Sequence, residues 1–383
     1  MQAKKIIIIG NTASMMLNFR SDLIKKLVQD GHDVFVFVSE FQEVEIQKLY
    51  SLNVSVLDYS LKRAGINPLS DLKALFELKR KICHIKPDIV FSYFTKPVIY
   101  GSLAAKLAEV PKIIGMIEGL GSPFTIHPNG QTFKMKIVRF FQISLYRIVF
   151  PFIDKIIFLN QDDPIDLIDN HKIYHKPSSI EVLGPIGLTL SDYPYKLWDE
   201  VQEISFIFVA RLLAEKGIYE YLEAAKIVKS KYPKVVFKVI GGLDLENPYG
   251  LSELELERLK LSGLIEYPGF VNNVPEYIEK SAVFVLPSYY REGVPRSTQE
   301  AMAIGRPVIT TDVPGCRETV VNGVNGFLVP KWNVNALVEK MCFFIENPEK
   351  INIMGKASYN LACERFDVHK VNKRLFEIME INN

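Results

Sequence analysis

One stretch of the chain, from Pro287 to Glu300, combines two carboxylates with a glycine-proline turn and the start of a predicted helix. Amides at a helix start lack intrahelical partners and carry a partial positive charge, so main-chain donors between Gly293 and Ser297 could bind a diphosphate. Glu300 could accept hydrogen bonds from vicinal ribose hydroxyls. An ordinary capped helix with a solvated glutamate fits the same residues, so both interpretations stay open here.

A cationic loop precedes this stretch. Arg211 ends a predicted strand, and Lys216 follows five residues later. A guanidinium fork and a mobile ammonium together suit the neutralisation of a departing diphosphate. A surface pair bound to Glu215 or Glu220 is the simpler alternative. After a later strand, Gly241-Gly242 would let a backbone loop approach a phosphate or sugar closely, although two glycines also fit a plain turn.

The predicted strands and helices that position these residues indicate two α/β domains. Short apolar runs bounded by turn residues are typical of strands buried on both faces of a parallel sheet. In the first half of the chain they are Lys5–Ile9, Asp33–Val38, Val54–Leu57, Asp88–Phe91, Lys112–Met116 and Lys155–Leu159. After a polar stretch they are Ile204–Val209, Val235–Ile240, Leu264–Glu266, Ala282–Leu286, Pro307–Thr310 and Gly326–Leu328.

The length of 383 residues also favours two domains of ordinary size. We predict a first domain over residues 1–185 and a second over 186–366. An amphipathic helix within 367–383 is expected to pack back on the first domain, and helical spacing predicts a crossover helix over 18–30. Doubly wound sheets bind ligands at the carboxyl ends of their strands, so we expect function in the loops that follow those strands.

The composition excludes several classes of protein. A formal net charge of +2 gives no global field for nucleic acid, so anion binding must come from local clusters. Four scattered cysteines without a CxxC pair fit a reducing compartment and argue against zinc. No run reaches the roughly 18 uninterrupted apolar residues of a membrane-spanning helix, so we do not expect a transmembrane protein.

Together, and in this order, the motifs resemble those of family 4 of the retaining glycosyltransferases. The core of the match is Glu292 and Glu300 at the spacing Glu-x7-Glu, with Arg211 and Lys216 at Arg-x4-Lys. Further matches are Gly269-Phe270-Val271, Ala303-x-Gly305-x-Pro307-Val308, Gly315 with Glu318, and Asn322-Gly323-x-x-Gly326. The resemblance covers nearly the whole second domain.

The resemblance implies the GT-B fold, in which two Rossmann-like domains face across a cleft, and a UDP-sugar as donor. Arg211 and Lys216 would bind the donor diphosphate, and Glu300 would bind the ribose. Such enzymes usually work without a metal or other cofactor, because the cations and a helix start stabilise the developing charge. The second domain would therefore bind the donor, and the first would bind the acceptor.

The same resemblance assigns the sugar and base contacts. Glu292, with the amides of Gly293 and Val294, would bind the transferred sugar. The loop at Val271 would meet the base, and Gly241-Gly242 would lie near the donor.

The first domain carries less regular loops, as expected where a variable acceptor is recognised. A small-residue loop that includes Ser14 follows the first strand, where the family places such a loop beneath the donor diphosphate. Its sequence is not GxGxxG, which gives little support to a nicotinamide or flavin site. Asn18 and Arg20 come next. Arg20 fits either an acceptor phosphate contact or a solvated helix position, and we expect the solvated position.

Glu118 follows the strand at 112–116, where many family members carry a histidine near the reacting sugar. A glutamate can accept sugar hydroxyls or stabilise positive charge at the anomeric carbon, but it is less suited to sharing a proton near neutral pH. The Glu118-Gly-Leu-Gly sequence, Asn18-Phe-Arg20 and Ser144-Leu145-Tyr146 resemble bacterial N-acetylgalactosaminyltransferases that act on undecaprenyl-diphosphate-linked sugars.

A basic and aromatic segment spans residues 131–152. Such a helix could lie in a membrane interface, with rings at the headgroup boundary and cations on anionic lipid. A long core helix with its cations in water is the alternative. Given the lipid-linked acceptor that the resemblance implies, we expect a cytoplasmic protein that contacts the cytoplasmic face of the inner membrane through this segment.

These observations predict a retaining transferase that moves N-acetylgalactosamine, in alpha linkage, from a UDP-sugar to an undecaprenyl-diphosphate-linked saccharide during bacterial surface polysaccharide or glycan assembly. A nucleotide-sugar 2-epimerase of the same fold is the alternative enzyme. A third hypothesis is a non-catalytic protein that binds a sugar nucleotide as a partner of another protein.

Overall fold

The computed structural model describes residues 3–61, 67–244, 247 and 249–381, and it divides into two compact units. The first unit comprises the chain up to Pro123, Thr132–Ile186 and the chain from His369 onward. The second comprises Phe124–Gln131 and Gly187–Val368. Each unit contains its own parallel sheet, which confirms the prediction of two Rossmann-like α/β domains.

The first unit is built on a seven-stranded parallel sheet in the order β3-β2-β1-β4-β5-β6-β7. Its strands are β1 (Lys5–Ile9), β2 (Asp33–Val38), β3 (Ser55–Asp58), β4 (Ile89–Tyr93), β5 (Lys112–Ile117), β6 (Lys155–Phe158) and β7 (Ile180–Val182). Its first helices are α1 (Ala13–Gln29), α2 (Glu43–Tyr50), α3 (Pro68–Ile85), α4 (Ser102–Leu107), α5 (Phe133–Val149) and α6 (Asp162–Pro164). The four isoleucines of β1 are fully buried, as expected for a strand covered on both faces.

The second unit repeats the design with six strands in the order β10-β9-β8-β11-β12-β13. They are β8 (Ser205–Val209), β9 (Val236–Ile240), β10 (Glu266–Gly269), β11 (Val283–Leu286), β12 (Val308–Thr311) and β13 (Gly326–Val329). The helices are α7 (Ile218–Lys231), α8 (Glu253–Ser262), α9 (Val274–Glu279), α10 (Arg296–Ile304), α11 (Val334–Glu346) and α12 (Glu349–Arg365). Buried phenylalanines on β8, β9 and β11 fill the centre of its core.

The first crossover helix begins earlier than its apolar spacing predicted. Thr12 caps α1, because its Oγ1 accepts a hydrogen bond of 3.1 Å from Met15 N. The cap satisfies an amide that the helix itself leaves unpaired. Ser14 therefore lies in the first turn of the helix, and the predicted small-residue loop is a direct junction between strand and helix.

The last helix, α13 (Val368–Met379), lies in the first unit from His369 onward. Arg374 Nη2 donates a 2.7 Å hydrogen bond to the carbonyl of Val182, and Lys112 pairs with Glu380 at the helix end. The compact units differ from the predicted domains by one or two residues at the outer boundaries and by one internal segment. Residues 124–131 belong to the second unit because buried side chains of this segment pack there.

Candidate functional site

The Arg-x4-Lys and Glu-x7-Glu motifs meet at one point of the second unit. Lys216 ends a turn of 3-10 helix after β8, and Glu292 lies in the loop between β11 and α10. Lys216 Nζ is 2.7 Å from Glu292 Oε2, with side chains 13% and 12% exposed. The ammonium also lies 5.0 Å from the ring centroid of Tyr290. Two motifs that are distant in sequence thus form one partly desolvated ion pair.

The loop that carries Glu292 is fixed by the Lys216 turn. The carbonyl of Glu215 accepts main-chain hydrogen bonds from Tyr289 (2.8 Å) and Tyr290 (3.0 Å). Ser288 Oγ, fully buried, donates to Glu292 Oε1 at 2.8 Å. The turn itself requires glycine after Lys216, because Gly217 has a φ of +80° and a Cβ there would lie 2.2 Å from a main-chain oxygen. Contacts within the protein therefore fix the position of the Glu292 carboxylate.

Arg211 has a different partner from the one that the simpler sequence interpretation gave it. Its Nη1 lies 2.5 Å from Asp244 Oδ2, and the arginine side chain remains 43% exposed. Glu215 is instead buried, and its carboxylate oxygens have no hydrogen-bond partner in another described residue. Burial raises the pKa of Glu215 and of Glu220. The alternative of a surface pair with either glutamate is therefore wrong.

The two glycines after β9 bring a second loop against Arg211. Gly241 has a φ of +148°, and a Cβ there would lie 1.9 Å from the carbonyl oxygen of Ala210. Gly242 O accepts a 3.1 Å hydrogen bond from Leu212 N. At position 241 only a residue without a side chain allows the approach to Ala210, whereas a Cβ at Gly242 would meet no atom within 4 Å. Gly241 therefore shapes the backbone beside Arg211.

Glu300 lies on α10 and is held by two donors. Its Oε1 accepts hydrogen bonds of 3.1 Å from Tyr193 Oη and from Arg296 Nε. Burial raises the pKa of Glu300, and the Arg296 guanidinium opposes that rise. The carboxyl group is thus oriented by its neighbours and is not the solvated glutamate of the simpler interpretation.

The helix that carries Glu300 begins later than the sequence suggested. It starts at Arg296 with Pro295 as its N-cap, so Gly293 and Val294 lie in the turn before the helix. Both residues are buried. Of the predicted donors between Gly293 and Ser297, only the amides from Arg296 onward therefore belong to the helix itself. The half-buried Val271, just after β10, packs against the core of the second unit.

In the first unit, two residues that the sequence treated separately form a buried ion pair. Arg20 Nη2 on α1 contacts Glu118 Oε1 after β5, with side chains only 3% and 7% exposed. The guanidinium carbon lies 4.6 Å from the ring centroid of Tyr93. The expectation that Arg20 is solvated is wrong, because position 20 falls on the buried stripe of α1 together with Met16 and Leu23.

Ser14 and Asn18, the other two residues predicted near the acceptor, contact each other. Asn18 Nδ2 lies 3.5 Å from Ser14 Oγ within α1. Ser14, Asn18, Arg20 and Glu118 all belong to the first unit, whereas the residues predicted to bind the donor belong to the second. Within the described part of the chain, no three metal-ligating side chains cluster.

Sequence reasoning missed the side chains that hold the predicted ones. Arg296 stands four residues before Glu300 on a helix, a spacing that brings side chains together and could have revealed it. Asp244, Ser288 and Tyr193 gave no such signal, because their contacts depend on how the loops fold. These residues orient the predicted groups and are part of the same site.

Two family models match the chain: "Glycosyl transferase 4-like" over residues 5–160 and "Glycosyl transferases group 1" over 198–361. An N,N'-diacetylbacillosaminyl-diphospho-undecaprenol alpha-1,3-N-acetylgalactosaminyltransferase of Campylobacter jejuni is 32% identical over 363 residues, covering 91% of this chain and 92% of that protein. A UDP-Gal:alpha-D-GlcNAc-diphosphoundecaprenol alpha-1,3-galactosyltransferase of Escherichia coli is 28% identical, covering 80% and 78%. The crystal structure of Anabaena HepE with UDP and glucose superposes with a TM-score of 0.76 at 18% identity, covering 99% of this chain and 100% of that chain.

Proposed function

Because the chain belongs to family 4 of the glycosyltransferases, we propose that it transfers N-acetylgalactosamine, with retention, from a UDP-sugar to an undecaprenyl-diphosphate-linked saccharide. The observation that carries the proposal is the Lys216–Glu292 pair, which joins the two family motifs in one site. The Campylobacter jejuni relative, matched over 91% of this chain, supports both the sugar and the acceptor class. The name of the Escherichia coli relative supports a UDP-linked donor. We place the reaction in bacterial surface polysaccharide or glycan assembly.

In the proposed donor complex, the cations of the second unit neutralise the diphosphate. Arg211 is half-exposed and held by one carboxylate, so its remaining guanidinium donors suit phosphate oxygens. Lys216 supplies a point charge beside it. Glu300 accepts hydrogen bonds from the ribose hydroxyls. Glu292 accepts hydrogen bonds from the transferred sugar, and the amides of Gly293 and Val294 donate hydrogen bonds to it.

The proposed chemical step needs no base from the protein. The bond between the anomeric carbon and the β-phosphate oxygen breaks, and its electron pair leaves with UDP. The acceptor oxygen bonds to the anomeric carbon from the same face, and its proton passes to an oxygen of the leaving phosphate. The protein contributes mainly fixed positive charge where negative charge develops.

On the acceptor side, the Arg20 contact fits the role proposed for Glu118. A neighbouring guanidinium stabilises the ionised carboxylate, and an ionised carboxylate can accept sugar hydroxyls or stabilise positive charge at the anomeric carbon. It cannot donate a proton in that form. We therefore propose an electrostatic role for Glu118 and a positioning role for Arg20.

The configuration of the product tests the retaining mechanism. The protein is incubated with UDP-N-acetylgalactosamine and a synthetic undecaprenyl-diphosphate-linked saccharide, and the anomeric coupling of the new linkage is measured by NMR. We expect an alpha linkage. A beta product contradicts retention, and an epimerised donor in the incubation without acceptor supports the 2-epimerase instead.

We further propose that α5 attaches the protein to the cytoplasmic face of the inner membrane. No helix within the described residues is long and apolar enough to cross a bilayer. Successive residues of a helix are about 100° apart around its axis. On α5 this spacing places five exposed apolar side chains in one stripe about 100° wide. The stripe consists of Phe133, Ile137, Phe140, Phe141 and Ile148. Exposed cations flank it on both sides: Lys134 on one, and Lys136 and Arg147 on the other.

Opposite this stripe, α5 packs into its own unit through Gln142, Ile143, Tyr146 and Val149. The helix is thus buried on one face and apolar on the exposed one. The alternative of a core helix with only its cations in water does not explain exposed phenylalanines. Rings with flanking cations suit the headgroup region of an anionic bilayer.

Replacing both Phe140 and Phe141 with serine is expected to weaken binding to vesicles that contain phosphatidylglycerol by about tenfold or more, because the apolar area that enters the bilayer is lost. Co-sedimentation with vesicles measures the effect. Phe76→Ser is the control, since Phe76 is a similarly exposed ring on α3. Equal vesicle binding by the wild type and the double variant would contradict the proposal.

A further inference from the structure

The segment of residues 124–131, here called the strap, leaves the first unit and returns to it. Pro123 and Thr132 on either side belong to the first unit, whereas the strap belongs to the second. Its residues Phe124, Thr125 and His127 are buried. Burial of these side chains means that the strap is held in place by packing, unlike an ordinary surface connection.

The first contact of the strap is with the main chain beside Glu292. Thr125 Oγ1 accepts a 3.1 Å hydrogen bond from the amide of Arg291, and Thr125 is fully buried. Residues Tyr289 and Tyr290 of the same loop are bonded to the carbonyl of Glu215. The loop is therefore fixed to the Lys216 turn through its first residues and to the strap through the residue that precedes Glu292.

The second contact is aromatic. The His127 ring stacks on Tyr249 with centroids 4.3 Å apart, and it meets Tyr289 edge-on at 6.0 Å. Tyr289 in turn meets Trp332 edge-on at 5.6 Å. Burial lowers the pKa of His127, so the neutral ring is the favoured form. Ring pairs of this kind contribute stability beyond the apolar area that they bury.

The strap is also braced internally. Gly130 N donates a 2.9 Å hydrogen bond to His127 O, and Gln131 Nε2 donates a 3.0 Å bond to Thr125 O. These bonds close the strap into a turn that presents Thr125 and His127 together. Tyr289 and Arg291, both in the loop between β11 and α10, are thus held by one braced element.

We propose that Thr125 and His127 are positioning residues for the transferred sugar, because together they fix the main chain from which Glu292 reaches that sugar. The inference rests on the proposed function in assigning the sugar to Glu292. In the proposed complex, UDP without a sugar makes no direct contact with Glu292. The strap should therefore affect recognition of the sugar more strongly than recognition of UDP.

The test compares Thr125→Val, which keeps the shape but removes the acceptor, with Thr125→Ser, which keeps the hydroxyl. Calorimetry gives the affinities of each variant for UDP and for UDP-N-acetylgalactosamine, and steady-state assays give kcat. We expect Thr125→Val to lose about tenfold in affinity for the UDP-sugar relative to UDP and to lose kcat, since a buried amide is left without this acceptor. Thr125→Ser should restore both towards wild type.

A second pair keeps the inference testable if the valine variant fails to fold. His127→Phe preserves a ring for the stack, whereas His127→Ala removes it, and only the alanine variant should lose preference for the UDP-sugar over UDP. An unchanged ratio of the two affinities in folded Thr125→Val and His127→Ala would overturn the strap inference. An equal loss for UDP and the UDP-sugar would overturn it as well, since the whole site would then be affected.

A different result would contradict the proposed function. A wild-type protein that prefers the UDP-sugar over UDP but transfers it to no acceptor contradicts the transferase reaction. The ratio of affinities in the variants still decides the role of the strap in that case.

Discussion

Replacing Lys216 with alanine is expected to lower kcat by about 100-fold or more, with the fold intact. Lys216 Nζ lies 2.7 Å from Glu292 Oε2 in a partly desolvated site. Fixed charge in such a site stabilises the departing diphosphate more than the same charge does in water. Steady-state kinetics on the purified variant, with circular dichroism as the check on folding, measures the effect.

The matched control is Lys226→Ala on α7. Lys226 is exposed and forms a 3.5 Å ion pair with the exposed Glu223, so its loss should leave kcat unchanged. A folded Lys216→Ala variant with turnover near that of the control would remove Lys216 from the proposed mechanism.

The second large effect is on stability. Arg20→Met is expected to lower the free energy of unfolding by about 3–5 kcal/mol, because it leaves the Glu118 carboxylate buried without its partner. Both side chains are more than nine-tenths buried, so water cannot replace the lost contact. Urea unfolding of the wild type and of the variant measures this difference in the free energy of unfolding.

Two further variants separate charge from packing. Adding Glu118→Gln to Arg20→Met removes the unpaired charge and should recover part of the lost stability. Lys25→Met on the same helix breaks an exposed 3.6 Å pair with Asp22 and should cost about 1 kcal/mol or less. Similar losses in Arg20→Met and Lys25→Met would contradict a buried, coupled pair.

Most of the strands were predictable because they are apolar runs that a sheet buries on both faces. β1 begins and ends at the predicted residues, and β5 extends the prediction by one residue. β7 was missed because it has only three residues, all half-buried. β10 was predicted two residues early, since its glycine and proline do not look like a strand.

The candidate site residues were easier to single out from the sequence than the side chains that contact them. Arg211, Lys216, Glu292 and Glu300 stand at spacings that a family motif fixes. The partner of Arg211 is Asp244, which comes from a loop after another strand and has no fixed spacing. The burial of Arg20 was in principle readable, because it lies in step with the apolar residues of α1.

The strap could not be predicted from local patterns at all. Residues 124–131 contain no strong apolar period, and their burial depends on rings supplied by Tyr249 and Tyr289. Such contacts join parts of the chain that are more than 100 residues apart. Only tertiary structure reveals them.

The most direct test of the transferase function is the release of UDP from a panel of UDP-sugars, with EDTA present throughout. Each UDP-sugar is incubated with and without a membrane extract that contains lipid-linked saccharides. We expect release from UDP-N-acetylgalactosamine that depends on the extract and persists in EDTA. Release of UDP from no member of the panel would contradict the proposed function.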